Sequence, residues 1–167
     1  IENRKTVTDD AIDWERKNIT ELKIKGGITG IDEYAFSECT YLKDVSIAGK
    51  VKNIGKDAFV NCKQLEKVNM LAADKLETIE SNAFECCAKL SSVQFPSSLK
   101  TIGNKAFSRC YALKEIAIPN SVVSIGTGVF DGTREGFDAD DKKILPDKVD
   151  IAYQSHMVDI MPPDEPQ

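Results

Sequence analysis

Five phenylalanines divide the middle of the chain into segments of nearly equal length. Phe36, Phe59, Phe84, Phe107 and Phe130 follow one another at intervals of 23, 25, 23 and 23 residues. Five further columns keep the same intervals: Ile31, Ile54, Ile79, Ile102 and Ile125; Leu42, Leu65, Leu90 and Leu113; Val45, Val68, Val93 and Ile116; Ala35, Ala58, Ala83, Ala106 and Val129; Cys39, Cys62, Cys87 and Cys110. A fixed period of about 20–50 residues is typical of a solenoid, whose units bury their apolar faces only by stacking.

One half of each unit alternates as a strand does. Over residues 42–48 the pattern places Val45 and Ile47 on the inner face. Asp44 and Ser46 then point outward, because successive side chains of a strand lie on opposite faces. Since all units run in the same direction, the strands are expected to pair in parallel, about 4.8 Å apart, and to line one concave sheet.

The other half of each unit has a different spacing. Residues 31–39 carry apolar side chains at offsets of three to five, which predicts a helical turn on the convex side. Gly55, Gly103 and Gly126 each follow the Ile of their unit, where they indicate a close chain reversal or a positive φ. Two extra residues near 71–75 follow a strand, where a loop accepts an insertion without changing the core register.

One repeat carries a resemblance to a known family. The segment from Ile102 to Pro119, IGNKAFSRCYALKEIAIP, resembles the BspA-type, Treponema pallidum-like leucine-rich repeat. The resemblance implies an α/β-type repeat solenoid, a right-handed leucine-rich-repeat horseshoe with a short parallel sheet on its concave face and caps at both ends. It also implies a family without shared catalytic residues, found on exported or surface-attached bacterial proteins and used for adhesion and protein binding.

The repeats are expected to occupy residues 19–130. An apolar pattern over 19–24 lies one period before the first full strand, so the sheet begins there. Residues 1–18 are predicted to form an N-terminal cap, with a capped, acidic first turn in 8–17 and Trp14 covering the open end. Terminal units of a solenoid must hide one apolar face, which is the reason to expect such a cap.

The periodic pattern stops after Phe130. Residues 131–160 keep enough apolar side chains for a C-terminal cap that could include one irregular strand, and 161–167 are expected to be an extended tail. The acidic stretch 131–141 allows two interpretations, a solvated loop or a calcium site. It lacks the alternating ligands and the terminal Glu of an EF-hand loop, which favours the solvated loop.

Composition and charge narrow the class of function. The chain of 167 residues carries a formal charge of −5, which argues against nucleic acid as a partner, because phosphate binding requires clustered Lys and Arg. No apolar run approaches the roughly 18 residues of a membrane-spanning helix. With one histidine, His156, and no nucleophile motif, we expect no enzyme and no cofactor.

The cysteines allow three interpretations. Because Cys39, Cys62, Cys87 and Cys110 share one column, we expect buried free thiols that pack as small apolar side chains. Disulfides between adjacent units would distort the stack, and a zinc site lacks a second C-x-x-C pair, so both are disfavoured. Cys86 is then expected to be an exposed, odd thiol.

The outward positions of the concave strands are the candidate binding residues. They are Glu21, Lys23, Lys25, Asp44, Ser46, Lys67, Asn69, Ser92, Gln94 and Glu115. These rows contain no aromatic residue and no Arg, the usual anchors of tight interfaces. Tyr34, Tyr41 and Tyr111 are candidate anchors on the convex side, or are half-packed between units.

The sequence leaves two candidate functions. The first is a non-enzymatic adhesion or protein-binding scaffold, extracellular or on a bacterial cell surface, whose ligand is a host matrix protein or another surface protein. The second is a structural spacer within a larger protein, without a ligand of its own. The sequence leaves the oligomeric state open.

Overall fold

A computed structural model describes residues 6–7, 18–132 and 148–149. This part of the chain is a parallel-strand solenoid of about five turns, which confirms the predicted fold class. Its twelve short strands are β1 (Thr6–Val7), β2 (Glu21–Ile24), β3 (Gly30–Ile31), β4 (Asp44–Ile47), β5 (Asn53–Ile54), β6 (Lys67–Asn69), β7 (Thr78–Ile79), β8 (Ser92–Gln94), β9 (Thr101–Ile102), β10 (Glu115–Ile116), β11 (Ser124–Ile125) and β12 (Lys148–Val149).

The concave sheet forms where the alternating pattern predicts it. β2, β4, β6 and β8 pair in parallel in that order, with Val45 in register with Leu22 and Val68. The inward side chains of these strands are buried, so the predicted alternation is confirmed. β10 continues the series along the chain and pairs in parallel with β12.

The isoleucine column lies in a second parallel sheet, which the sequence pattern did not predict. It contains β1, β3, β5, β7, β9 and β11 in that order, with Ile31 in register with Ile54 and Ile79 with Ile102. Each repeat is therefore a rung with two strands. We number rungs 1 to 4 by their convex segments, 32–41, 55–64, 80–89 and 103–112, each of which joins a strand of the second sheet to a concave strand.

The predicted helical turn on the convex side is wrong. In an α-helix the N–H of Phe36 would donate to the carbonyl four residues earlier. Instead it donates to the Ala58 carbonyl of rung 2 at 2.8 Å, and the N–H of Phe59 donates to the Ala83 carbonyl of rung 3 at 2.8 Å. The convex segments are tight turns in which alternate N–H groups donate to the next rung, whereas those between them, such as the N–H of Ala35 to the Asp32 carbonyl at 3.2 Å, donate three residues back within the segment.

Two residues in each convex segment take left-handed backbone conformations. One column contains Tyr34, Asp57, Asn82, Lys105 and Gly128, and the other contains Glu38, Asn61, Cys86, Arg109 and Gly132, all with φ between 57° and 71°. A left-handed residue with a Cβ costs about 1–2 kcal/mol in isolation. The repeated hydrogen bonds between rungs offset this cost, and the left-handed residues prevent the segment from continuing as a helix.

The core consists of the repeating columns themselves. Adjacent phenylalanine rings stack with centroids 5.3 Å apart for Phe36 and Phe59, 5.1 Å for Phe59 and Phe84, and 5.2 Å for Phe84 and Phe107. Phe95 packs against Phe107 edge to face at 5.7 Å. All five rings of the column are buried. The apolar face of each rung is therefore covered by the equivalent face of the next.

The glycine and insertion predictions are borne out. A Cβ at Gly55 would lie 2.7 Å from the Ile31 carbonyl oxygen, and one at Gly103 would lie 2.6 Å from the Ser81 backbone nitrogen. Neither glycine has positive φ, so close approach between rungs is the reason for both. Around the insertion, β5 and β7 stay in register and so do β6 and β8.

The predicted caps are mostly beyond the described residues. The cap in 1–18, including Trp14, and the cap in 131–160 stay predictions, as does the tail 161–167. The two interpretations of the acidic stretch 131–141 also stay predictions, because the residues that follow Gly132 in this stretch lie outside the described part of the chain.

Candidate functional site

The outward face of the concave sheet presents a surface two columns wide and four strands long. The first column contains Glu21, Asp44, Lys67 and Ser92, and the second contains Lys23, Ser46, Asn69 and Gln94, in the register of the paired strands. Ser46 and Ser92 are half-buried, and the other six side chains are exposed. Since every second residue of each strand is buried, the backbone holds these eight side chains on one side of the sheet.

Two further predicted residues lie beside these columns. Lys25 directly follows β2 and is exposed. Glu115 lies in β10, which continues the series after β8. Nine of the ten predicted residues therefore lie in strands, and Lys25 follows one directly. Their use in binding a ligand stays a prediction.

The charges of the first column change sign along the stack. Asp44 lies in register between Glu21 and Lys67 on strands about 4.8 Å apart. It is therefore repelled by one neighbour and attracted by the other. The second column begins with the charged Lys23 and continues with hydroxyl and amide groups. A complementary ligand would need both a cationic and an anionic group, together with hydrogen-bonding groups.

The two columns border a depression of about 320 Å³. It is lined by all eight outward residues of the two columns, together with Leu22, Val45 and Val68 of the same strands. The Asn69 amide oxygen accepts a hydrogen bond from the Leu71 N–H at 3.0 Å, which fixes that side chain at the edge of the depression. The volume is at the lower end for a small-molecule pocket, so the shape favours contact with a protruding segment of a larger partner.

The convex tyrosines are well exposed. Tyr34, Tyr41 and Tyr111 have 46%, 55% and 56% of their surface accessible, so they are not enclosed between rungs. All three lie on the convex segments, as the sequence predicts, and their use as anchors stays a prediction.

The cysteine column forms a second ladder inside the solenoid. The thiol of Cys62 donates to the Phe36 carbonyl at 3.2 Å, and the thiol of Cys87 donates to the Phe59 carbonyl at 3.3 Å. Cys110 repeats the contact with the Phe84 carbonyl at 3.2 Å. All five cysteines are reduced thiols, and the four of the column are buried as predicted.

Their environment suppresses thiolate chemistry. A hydrogen bond with the Cys39 thiol, followed by burial, raises the pKa of Cys62 far above its ordinary range. Burial raises the pKa of Cys87 and of Cys110 in the same direction. Because the thiolate is the nucleophile, these thiols are poor catalytic groups. Cys86, predicted to be exposed, is half-buried instead.

Other kinds of site find little support in the described residues. Within 6–7, 18–132 and 148–149, no group of three or more His, Cys, Asp or Glu side chains is arranged to hold a metal ion. The same part of the chain has no helix long and apolar enough to span a membrane.

Comparison with known proteins agrees with the architecture. The sequence model described as "BspA type Leucine rich repeat region" matches residues 6–135 in six copies. The chain is similar to a leucine-rich repeat protein of T. pallidum, with 36% identity and a TM-score of 0.61 over 64% of this chain and 49% of that one. No curated protein matches the chain.

Two further solved structures show the same arrangement. A leucine-rich repeat protein of Bacteroides ovatus has 32% identity and a TM-score of 0.58, over 65% of this chain and 30% of that one. The pneumococcal vaccine antigen PcpA has 25% identity and a TM-score of 0.62, over 69% of this chain and 28% of that one. The chain therefore matches half or less of the length of these structures.

Proposed function

The chain belongs to the BspA-type leucine-rich-repeat family, and we propose that it is a non-enzymatic scaffold that binds a protein ligand through the concave face. The observation that carries this proposal is the depression bordered by exposed side chains on four paired strands. The buried columns behind it are stacked and hydrogen-bonded from rung to rung, so the strand backbone that carries the face is held in place. A preorganised backbone loses little conformational entropy on binding.

The chemistry of this face favours a polypeptide with mixed charges. Glu21 and Asp44 would attract basic groups, whereas Lys23 and Lys67 would attract acidic ones, and the amides of Asn69 and Gln94 would pair with backbone groups. A host matrix protein or another surface protein offers such a combination. Because these positions include no Trp, Tyr or Arg, single contacts are expected to be weak and binding to gain strength from multivalency.

A location on or outside a bacterial cell is part of the same proposal. The similar chain PcpA is described as a pneumococcal vaccine antigen, which supports an exposed location for this chain too. The buried cysteine column is compatible with that location, since burial keeps four thiols out of contact with oxidants.

A structural spacer is the second candidate function. The concave positions lack the usual anchor residues, which favours a spacer, because a spacer needs stacking but no recognition surface. The two functions differ in one consequence. A spacer tolerates any polar substitution on the concave face, whereas a binding scaffold does not.

The experiment is a capture assay on immobilised host matrix proteins and on surface proteins of the source organism. Asp44→Lys and Lys67→Glu are compared with wild type and with Lys75→Glu, an exposed charge reversal in the insertion loop. The binding scaffold predicts a saturable partner that both concave reversals weaken roughly tenfold and the control leaves unchanged. If neither concave reversal weakens binding to any partner, or if all three variants weaken it equally, the proposal is overturned in favour of the spacer.

A further inference from the structure

A second depression lies on the convex side of the solenoid, around rung 4. It has a volume of about 290 Å³, and the side chains that line it are those of Glu85, Lys105, Ser108, Arg109, Tyr111 and Asp131. They come from rung 3, from rung 4 and from the convex segment 126–132, which is hydrogen-bonded to rung 4. None of them belongs to the concave face, so a ligand of this depression is separate from the one proposed above.

The depression forms where a short side chain lies between two longer ones. Glu85, Ser108 and Asp131 occupy the same position in three successive convex segments, stacked about 4.8 Å apart. Ser108 is the one buried polar residue in the described part of the chain, with 5% of its surface accessible. A hydroxyl-bearing residue therefore forms the floor, and a carboxylate-bearing residue stands on each side of it along the stack.

Hydrogen bonds hold both carboxylate-bearing walls. The N–H of Arg109 donates to the Asp131 carbonyl at 2.6 Å, which fixes the segment 126–132 against rung 4. On the other side, the amide of Asn82 donates to the Glu85 carboxylate at 2.6 Å. The two walls are thus positioned by contacts within the chain, which lowers the cost of ordering them around a ligand.

The charges around the depression cancel. Lys105 and Arg109 are exposed cations, and Glu85 and Asp131 are half-buried carboxylates, so the formal charges sum to zero. A ligand with a net charge is attracted by one half of this lining and repelled by the other, which favours a neutral ligand. Ammonium and guanidinium groups only donate hydrogen bonds, whereas carboxylates only accept them. Hydroxyl groups satisfy both kinds of partner, because each hydroxyl donates and accepts.

One wall of the depression is aromatic. Tyr111 has 56% of its surface accessible, so its ring offers an apolar surface beside the charged groups. Gly132 lies next to this ring, and a Cβ at that position would be 3.6 Å from the Tyr111 Cε1 atom. Because glycine has no side chain, this edge of the ring stays uncovered by residue 132. The lining therefore fits a neutral molecule that carries hydroxyl groups on one part and an apolar surface on another.

We propose that this depression binds a neutral sugar ring in the pyranose form, such as the terminal residue of a glycan. The C–H face of the ring lies against Tyr111, and its hydroxyls pair with Glu85, Asp131, Arg109 and Ser108. A volume near the lower end of the range for ligand pockets accommodates one ring, which is the reason to expect a chain end as the ligand.

The chemical class of the ligand is tested with single sugars. Saturation-transfer NMR on the whole chain is carried out with glucose, galactose, mannose and N-acetylglucosamine in turn. At least one should bind with a Kd of about 1 mM, since a single ring has few atoms with which to contact so open a site. Inorganic phosphate and glycine, an anion and a zwitterion, should give no signal at the same concentrations.

The location of the site is tested by substitution. Tyr111→Ala and Ser108→Val should each weaken sugar binding roughly tenfold or more, because one removes the aromatic wall and the other the hydroxyl at the floor. Both should fold, since Ala88 and Val60 occupy the same columns in neighbouring repeats. Tyr41→Ala is the matched control, because it removes a tyrosine of similar exposure from rung 1 and should leave the Kd unchanged.

The concave variant Asp44→Lys separates this site from the concave one, because it should leave sugar binding unchanged. Circular dichroism of every variant verifies the fold. Three results would overturn the proposal: none of the four sugars binds, a sugar binds equally well to Tyr111→Ala and Ser108→Val, or phosphate or glycine binds as tightly as the sugars do. None of these results bears on capture of a protein by the concave face.

Discussion

The buried columns and the concave columns of this solenoid repeat to very different degrees. The phenylalanine column keeps one residue type in five successive repeats, whereas the column of Glu21, Asp44, Lys67 and Ser92 changes its charge from strand to strand. A buried side chain packs against its own equivalent, so any change must suit two neighbours at once. An outward side chain has no such constraint. Repetition therefore marks what holds the fold, and variation marks where recognition can develop.

The largest expected effect is on the buried side of this comparison. Phe84→Ala removes a ring that stacks on both Phe59 and Phe107 in the middle of the column. Large-to-small substitutions of buried phenylalanine cost about 3–5 kcal/mol of unfolding free energy. The control is Leu71→Ala, since Leu71 is an apolar residue with 57% of its surface exposed. Urea denaturation should show a loss of less than about 0.5 kcal/mol of unfolding free energy for the control. Equal losses for the two variants would contradict the stacked core.

The buried thiols should make stability depend on alkaline pH. The folded pKa values of Cys62, Cys87 and Cys110 lie above the ordinary 9.0. Above pH 9 the unfolded thiols lose protons that the folded thiols retain, so the free energy of unfolding falls as pH rises and is unaffected below pH 9. The expected loss is roughly 1 kcal/mol per thiol for each pH unit.

This dependence is checked by urea denaturation at about pH 8 and pH 10. Cys87→Ser should lose less stability over the interval than wild type does, because it removes one of the three titrating thiols. Its hydroxyl can still donate to the Phe59 carbonyl, so the variant is expected to fold. Identical losses in the two proteins would count against the protonated cysteine ladder.

A smaller effect tests the convex turns. Lys105 has a φ of 57°, and Gly128 occupies the same column one rung later with a φ of 63°. Lys105→Gly should be more stable than Lys105→Ala by about 1 kcal/mol, because glycine adopts this conformation without a steric cost. The alanine variant is the matched control for loss of the side chain. If thermal denaturation shows Lys105→Ala to be more stable than Lys105→Gly, the left-handed conformation of this residue is refuted.

The fold is predictable from the sequence where a single spacing determines the structure. The buried columns and the outward concave positions follow from the period and from strand alternation, and Val45 and Asp44 lie on the faces expected. The convex turns were missed because apolar offsets of three to five also suit a helix. Asp57, Asn82 and Gly128 share one column and all tolerate positive φ, so a signal against the helix was present in the sequence.

The candidate site was predictable only as a set of positions. Which residues point outward depends on the local alternation of each strand. What they bind depends on how Asp44 and Lys67 combine with a surface on another molecule.

The central claim is that the buried columns hold the fold while the concave residues are free to serve recognition. The most direct test is urea denaturation of one variant in which Asp44, Lys67, Asn69 and Gln94 are all replaced by serine. Surface substitutions away from packed groups change stability little. We expect this variant to lose about 1 kcal/mol or less of unfolding free energy, with an unchanged slope of that free energy against urea concentration. A loss as large as that of Phe84→Ala would contradict the claim.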